Sequence, residues 1–257
     1  RMEPPSWGLQ IDEGGSILRG ILRHYEYCGN KGLLEELWPC VKKGVEFLLG
    51  YIDAETGLPW LSFDLWEERL GEHAYSTAAV CAGLEAGARI AEILGNTGAG
   101  EGDIMEERQS MAGNREKTGR LQGMAVLWRE AAARLRAALD KNFWRPDWNR
   151  FARSVRVKLN GWGEEHTAEK VWLKQNDRSA PRDFTLLDGT VDISLLGLSV
   201  PFGIYSAADP RMASTAQAVE EALHAEPAGG LMRYEHDGYI GGNPWIIATL
   251  WAALYHM

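Results

Sequence analysis

HAYSTAAVCAGLEAGARIAEIL, residues 73–94, is the stretch whose reading decides the fold. It is rich in alanine, the strongest helix former, and carries Gly83 and Gly87 in its interior. A glycine inside a helix costs about 1 kcal/mol relative to alanine. Two of them in such a run suit a helix pressed closely against its neighbours. Upstream, Leu33, Leu34, Leu37, Val41, Val45, Leu48 and Leu49 recur in steps of three and four, which predicts a helix over 33–51. Downstream, residues 121–142 combine Ala, Leu and Arg and predict another.

Shorter helices are predicted over 15–27, 190–199, 210–224 and 243–256. Asp209-Pro210 opens the third of these well, since Asp caps and Pro fits the first turn. Strand signals are few: Val155–Leu159 alternates and reads as one strand of a surface hairpin. Residues 96–119 read as a polar insertion loop. No repeat of fixed period is present. Helices alternating with long loops fit a toroid of helical hairpins whose loops build a site at one end.

Composition narrows the function classes. The 257 residues are 45% hydrophobic and 25% charged, an ordinary globular balance. A net charge of −9 and the lack of any basic block argue against a nucleic-acid partner. No apolar run of about 18 residues indicates a membrane helix. No signal peptide is visible, and the chain opens on Arg1. Cys28, Cys40 and Cys81 have no CxxC spacing and are expected to be buried free thiols. His24, His73, His166, His224, His236 and His256 show no ligand spacing, so neither metal nor cofactor is expected. The 11 Trp and 8 Tyr exceed what a core of this size needs, and flat aromatic faces stack well on sugar rings.

Three segments concentrate Trp, Gly and acidic residues beside a helix: Trp7–Gly15, Gly57–Arg69 and Gly230–Trp245. In the second, Asp64, Glu67 and Glu68 lie among Trp60, Phe63 and Trp66. Crowded carboxyls resist simultaneous ionisation, and apolar neighbours raise a carboxyl pKa by desolvation. A carboxyl kept protonated in this way donates to a leaving oxygen, as glycoside cleavage requires. The plain alternative is a solvated acidic patch at a helix start. In the third segment Arg233 precedes Asp237 by four residues. That pair reads either as a rigid fork for sugar hydroxyls or as an ordinary surface ion pair in a turn.

FDLWEERLGEHAYSTAA, RYEHDGYIGGNPWIIATLW, TVDISLLGLSVPFGIYSAADPRM and WGLQIDEGGSIL together resemble glycoside hydrolase family 15, the glucoamylases, in that family's own order and nearly end to end. The resemblance implies an all-α (α/α)6 barrel of six helical hairpins. It also implies inverting release of β-glucose from the non-reducing ends of α-glucans. Glu67 is then the general acid, Glu68 hydrogen-bonds the sugar, and Asp64 tunes the acid's charge state. Arg233 binds sugar hydroxyls and is held by Asp237, while Trp7 and Trp66 line subsites. Gln10 and Asp12 are substrate-binding by the same resemblance, although the spacing after Trp7 is one residue short of the fungal pattern. Asp192 lies in a family segment without an assigned role. His73 is read as packing or supporting the site.

The family's catalytic base, a Glu well beyond the Asn-Pro-Trp helix, has no counterpart here. Glu235, Asp188, Asp192, Glu164 and Glu165 are possible stand-ins that spacing does not rank. Residues 1–257 are therefore expected to be a partial catalytic domain with an incomplete ring and exposed apolar helix faces. A glycoside phosphorylase on a related barrel needs only one protein acid, but no phosphate cradle is visible. A non-catalytic sugar-binding module also stays open, whereas a terpenoid cyclase would need an Asp-rich motif that DLWEE matches poorly. Maltooligosaccharides, dextran and trehalose share the same acid chemistry as substrates. The isolated 257-residue chain is expected to release little or no glucose from maltooligosaccharide, and a rate near that of a full-length relative would contradict this.

Overall fold

The computed structural model describes residues 8–96, 107–158, 170–174 and 181–257. Six α-helices run through them: α1 (Ile11–Cys28), α2 (Lys31–Gly50), α3 (Ala74–Gly95), α4 (Glu107–Phe143), α5 (Pro210–Leu223) and α6 (Ile246–Tyr255). Helix α3 is the hub, buried along nearly its whole length between α1, α2 and α4. Its small residues allow this. A Cβ added at Gly83 would lie 2.7 Å from the Cα of Gly15 on α1, and one added at Gly15 would lie 2.2 Å from the Ala79 carbonyl oxygen. At Gly87 an added Cβ would meet Val45 of α2 at 2.5 Å and Trp128 of α4 at 3.3 Å.

Local signals set several boundaries. Asn30 caps α2 by accepting from the Leu33 N–H, and Asp209 caps α5 by accepting from the Arg211 N–H, with Pro210 in the first turn as expected. The predicted helix over 190–199 is a 3₁₀ helix, Ile193–Leu198, with Asp192 as its cap. The last helix starts at Ile246, just past the expected Asn243-Pro244 entry. Helix α4 begins at Glu107 rather than 121, so residues 107–119 of the expected insertion loop are helical. Their Glu, Arg, Gln, Met, Ala and Lys are good helix formers, and their polarity concealed it.

The all-α expectation holds only as a majority. A five-stranded antiparallel sheet has the order β1-β2-β5-β7-β6. Its strands are β1 (Ser62–Phe63), β2 (Leu70–His73), β5 (Ser154–Lys158), β6 (Lys170–Lys174) and β7 (Pro181–Asp188), and a separate ribbon pairs β3 (Trp144–Arg145) with β4 (Arg150–Phe151). The expected hairpin strand near 155 is thus an interior strand, paired with β2 on one side and β7 on the other. Strands β1 and β2 form a hairpin in which Phe63 pairs with Leu70, and residues 64–69 make its loop. Strand β2 runs directly into α3, so the hub anchors that loop.

Cys28 and Cys40 are exposed, against the expectation of buried thiols, because they sit on the outer faces of α1 and α2. Cys81 is buried, and burial pushes its thiol up to about 12. No helix among the described residues is long and apolar enough to cross a membrane. On α6, Ile246, Ile247, Leu250 and Leu254 are exposed.

Gly15→Ala is expected to destabilise the protein by about 1–3 kcal/mol or more, because the added methyl meets a backbone carbonyl that cannot yield. Gly20→Ala, on the open side of the same helix, is expected to be neutral or stabilising by up to about 1 kcal/mol. Chemical denaturation of both variants checks the contrast; equal effects would contradict the close α1–α3 approach.

Candidate active site

The hairpin loop 64–69 is tied down from inside. Asp64 Oδ1 accepts the backbone N–H groups of Glu68 (2.8 Å) and Arg69 (3.1 Å), while its own N–H donates to the Arg69 carbonyl at 3.0 Å. Asp64 Oδ2 accepts from Arg153 on the approach to β5, and Arg153 Nε lies 3.0 Å from Asp192 Oδ2. The same Asp192 oxygen accepts the Trp66 indole N–H at 2.9 Å. Arg69 pairs with Asp188 and Thr190. Asp64, Arg69, Arg153, Asp188 and Asp192 are all buried.

A second cluster adjoins the first. Arg233 donates from Nε and Nη2 to both oxygens of Asp237, each at 2.7 Å, which is the bidentate fork expected of that pair. Its guanidinium carbon lies 4.9–5.2 Å from the ring centroids of Trp66, Tyr234, Tyr239 and Trp245. Glu68 links the two clusters, accepting from Arg233 at 3.4 Å and from the Tyr234 hydroxyl. The segment is pinned from behind, because the Ile193 N–H donates to the Arg233 carbonyl and the Glu235 N–H to the Val191 carbonyl.

The first segment docks on the same loop. Gln10 Nε2 donates to the Asp64 carbonyl at 3.0 Å, and the Phe63 N–H donates to the Leu9 carbonyl at 2.8 Å. Asp12, buried in the first turn of α1, accepts from the Ser76 hydroxyl of α3 at 3.3 Å. Trp7 lies outside the described residues, as do Glu164 and Glu165.

The structure therefore brings Gln10, Asp12, Asp64, Trp66, Glu68, Arg233 and Asp237 into one connected region. Glu67 sits differently from the expectation. It is exposed, and its backbone adopts the left-handed conformation at φ 61°. Such a conformation turns the chain so that Trp66 and Glu68 join the Arg233 cluster while the residue between them stays at the surface. The crowded apolar setting expected for Glu67 belongs instead to Asp64. Sequence reading missed Arg69, Arg153 and Tyr234, and weighed Asp188 only as a stand-in base; lone charges inside the apolar runs around Arg153 and Asp192 were the available signal.

Electrostatics separates the carboxyls. Burial pushes Asp64 and Asp188 upward, but Arg153 together with the loop N–H groups at Asp64, and Arg153 together with Arg69 and Thr190 at Asp188, outweigh it, and both end below the usual range. Asp237 is likewise held low, its burial outweighed by Arg233. Burial pushes Asp12 up to about 6, with Glu13 and Asp64 adding to the shift. No group of three or more His, Cys, Asp or Glu among the described residues is placed to hold a metal ion.

Comparison with known proteins gives a consistent result. The model of glycosyl hydrolases family 15 matches residues 4–257. An uncharacterized glycosyl hydrolase of Methanocaldococcus jannaschii is 31% identical over 254 residues, covering 99% of this chain and 32% of the relative. A glycosidase variant in complex with glucose superposes with a TM-score of 0.63 at 21% identity, over 99% of this chain and 50% of that one. A bacterial glucoamylase complexed with acarbose superposes with a TM-score of 0.55 at 21% identity, over 90% of this chain and 28% of that one. The chain thus spans half or less of the length of these relatives.

The carboxyl shifts give opposite pH signatures. The depressed Asp64, Asp188 and Asp237 contribute stability above the ordinary carboxylate range, lost as pH falls through their folded values. Raised Asp12 contributes stability that is complete below 3.8 and lost as pH rises through about 6. Asp12→Asn is therefore expected to flatten the decline in Tm between about pH 4 and 6. Parallel Tm–pH curves for the variant and the parent would contradict that assignment.

Proposed function

The chain belongs to glycosyl hydrolases family 15, and from that premise we propose that the protein carrying it is an inverting glycoside hydrolase of α-glucosidic bonds, acting from the ends of α-glucans with Glu67 as general acid. One observation carries the reading: Glu67 is exposed on a loop whose flanking residues are held in place, Trp66 by Asp192 and under the Arg233 guanidinium, Glu68 by Arg233 of the Arg233–Asp237 fork. A carboxyl that must meet a substrate oxygen has to be reachable, while the groups that orient the sugar have to be fixed.

In this mechanism Glu67 gives its proton to the glycosidic oxygen as the bond from that oxygen to C1 breaks. Water attacks C1 from the opposite face, and a second carboxylate roughly 6.5–9.5 Å away takes the proton it loses. Glu68 and Arg233 hold sugar hydroxyls through charge-assisted hydrogen bonds, and Asp237 fixes the guanidinium plane. Trp66 and Trp245, with ring centroids 6.4 Å apart, supply stacking faces beside it. Asp64 is Arg-paired and hydrogen-bonded to the loop backbone, so it shapes the loop that presents the acid.

The base is proposed to come from residues outside these 257. Supporting this, the stand-ins in the described region are already engaged. Asp188 is paired with Arg69, Asp192 is held by Arg153, Trp66 and the Ser194 N–H, and Glu235 accepts from the Val191 N–H.

In the full-length protein, Glu67→Gln is expected to lower kcat on maltotetraose by about 10²–10⁴-fold, with KM little changed. Binding of the same sugar, followed by calorimetry, should persist. Near-parental kcat would refute the acid assignment, and strict dependence of turnover on inorganic phosphate would replace hydrolysis by phosphorolysis.

A further inference from the structure

The loop that presents Glu67 is clamped by one buried ring that the proposed chemistry leaves unused. His73 ends β2, is 3% exposed, and lies opposite Ser154 in the β2–β5 ladder. Its Nε2 lies 3.0 Å from the Ser62 carbonyl oxygen and 3.0 Å from the Arg69 carbonyl oxygen. Both are acceptors, so Nε2 carries the proton and donates a three-centre hydrogen bond across the base of the hairpin. Burial holds the ring below the ordinary histidine value and keeps it neutral, which makes Nδ1 an acceptor. The Ser154 hydroxyl donates to Nδ1 at 2.6 Å. The two carbonyls thus set the tautomer, and Ser154, next to the Arg153 that pairs with Asp64, satisfies the other ring nitrogen.

We propose that His73 is a positioning residue: its Nε2–H ties Ser62 to Arg69, closing the loop so that Glu67 is held in its left-handed conformation at the substrate face. The inference rests on the reading of Glu67 as the acid. The loop needs such a clamp. A non-glycine residue at φ 61° carries backbone strain that persists only where surrounding contacts over-determine it. The Asp64 carboxylate holds the N–H groups of residues 68 and 69, and His73 holds the carbonyl side. Without the His73 donor the Arg69 carbonyl keeps only the Asp64 N–H, and residue 67 relaxes between its two anchored neighbours so that the acid swings away from the scissile oxygen. Trp66 and Glu68 stay anchored by Asp192 and Tyr234. The expected cost therefore falls on turnover and not on sugar binding.

The experiment uses the full-length protein and four variants, each assayed with maltotetraose at a temperature where circular dichroism shows it folded. His73→Phe keeps ring volume and loses the donor. It is expected to lower kcat about 10–100-fold at nearly unchanged KM, because a misplacement near 1 Å costs about that much. It should also displace the alkaline limb of the kcat–pH profile, which reports the acid. His73→Gln restores an N–H at the Nε2 position and should recover most of kcat. Ser154→Ala should lower kcat a few-fold and leave KM alone. A folded His73→Phe with parental kcat, or Gln and Phe variants equally impaired, overturns the proposal. If His73→Phe does not fold, Ser154→Ala decides: reduced kcat supports the clamp and parental kcat overturns it. An active Glu67→Gln overturns the acid reading and this one together, whereas an inactive Glu67→Gln beside a fully active His73→Phe overturns only this one.

Discussion

The bridge that Arg153 makes between Asp64 and Asp192 is the interaction on which the site depends. One guanidinium ties the hairpin loop 64–69 to the segment that opens the 3₁₀ helix at Ile193. That segment in turn carries the backbone hydrogen bonds holding Arg233 and Glu235. All three residues are at most 4% exposed, so each charge depends on the others for the solvation it has lost. Removing one partner of such a group costs about 3–5 kcal/mol, since a bare buried charge remains. The geometry of a surface carboxyl at position 67 is therefore fixed by a network that never reaches the surface.

Behind the network stands α3. Its alanines and glycines let α1 approach within backbone contact and let Val45 of α2 and Trp128 of α4 pack onto Gly87, which brings the N-terminus of α1 and the end of β2 together. Gln10 reaches Asp64 and Ser76 reaches Asp12 only because that spacing is small. Packing and polar order are thus one problem here. The close helix approach sets the distances that the hydrogen bonds then use.

The helical half of this arrangement was legible in the sequence, because three- and four-residue apolar steps, Asp209 and Pro210 are local signals. Asp237 beside Arg233 was legible for the same reason: only four residues separate the partners. Arg153 was not, since its partner Asp64 lies 89 residues away, and Trp66 and Asp192 are 126 apart. The sheet escaped notice because charged residues crowd β6 and β7 and mask any alternation. Glu67 is the instructive case. Three carboxyls among aromatic residues suggested a desolvated acid at 67, but a positive φ at that residue separates nearness in sequence from burial, and the burial went to Asp64.

The central claim concerns where the carboxyl of residue 67 stands relative to a bound glucan. A crystal structure of the full-length Glu67→Gln variant with maltotriose tests it directly. The account predicts the side-chain amide at position 67 within about 3 Å of a glycosidic oxygen, with Glu68 and Arg233 on ring hydroxyls. A sugar seated away from the 64–69 loop, or bound with another carboxylate at its bridging oxygen, would contradict it.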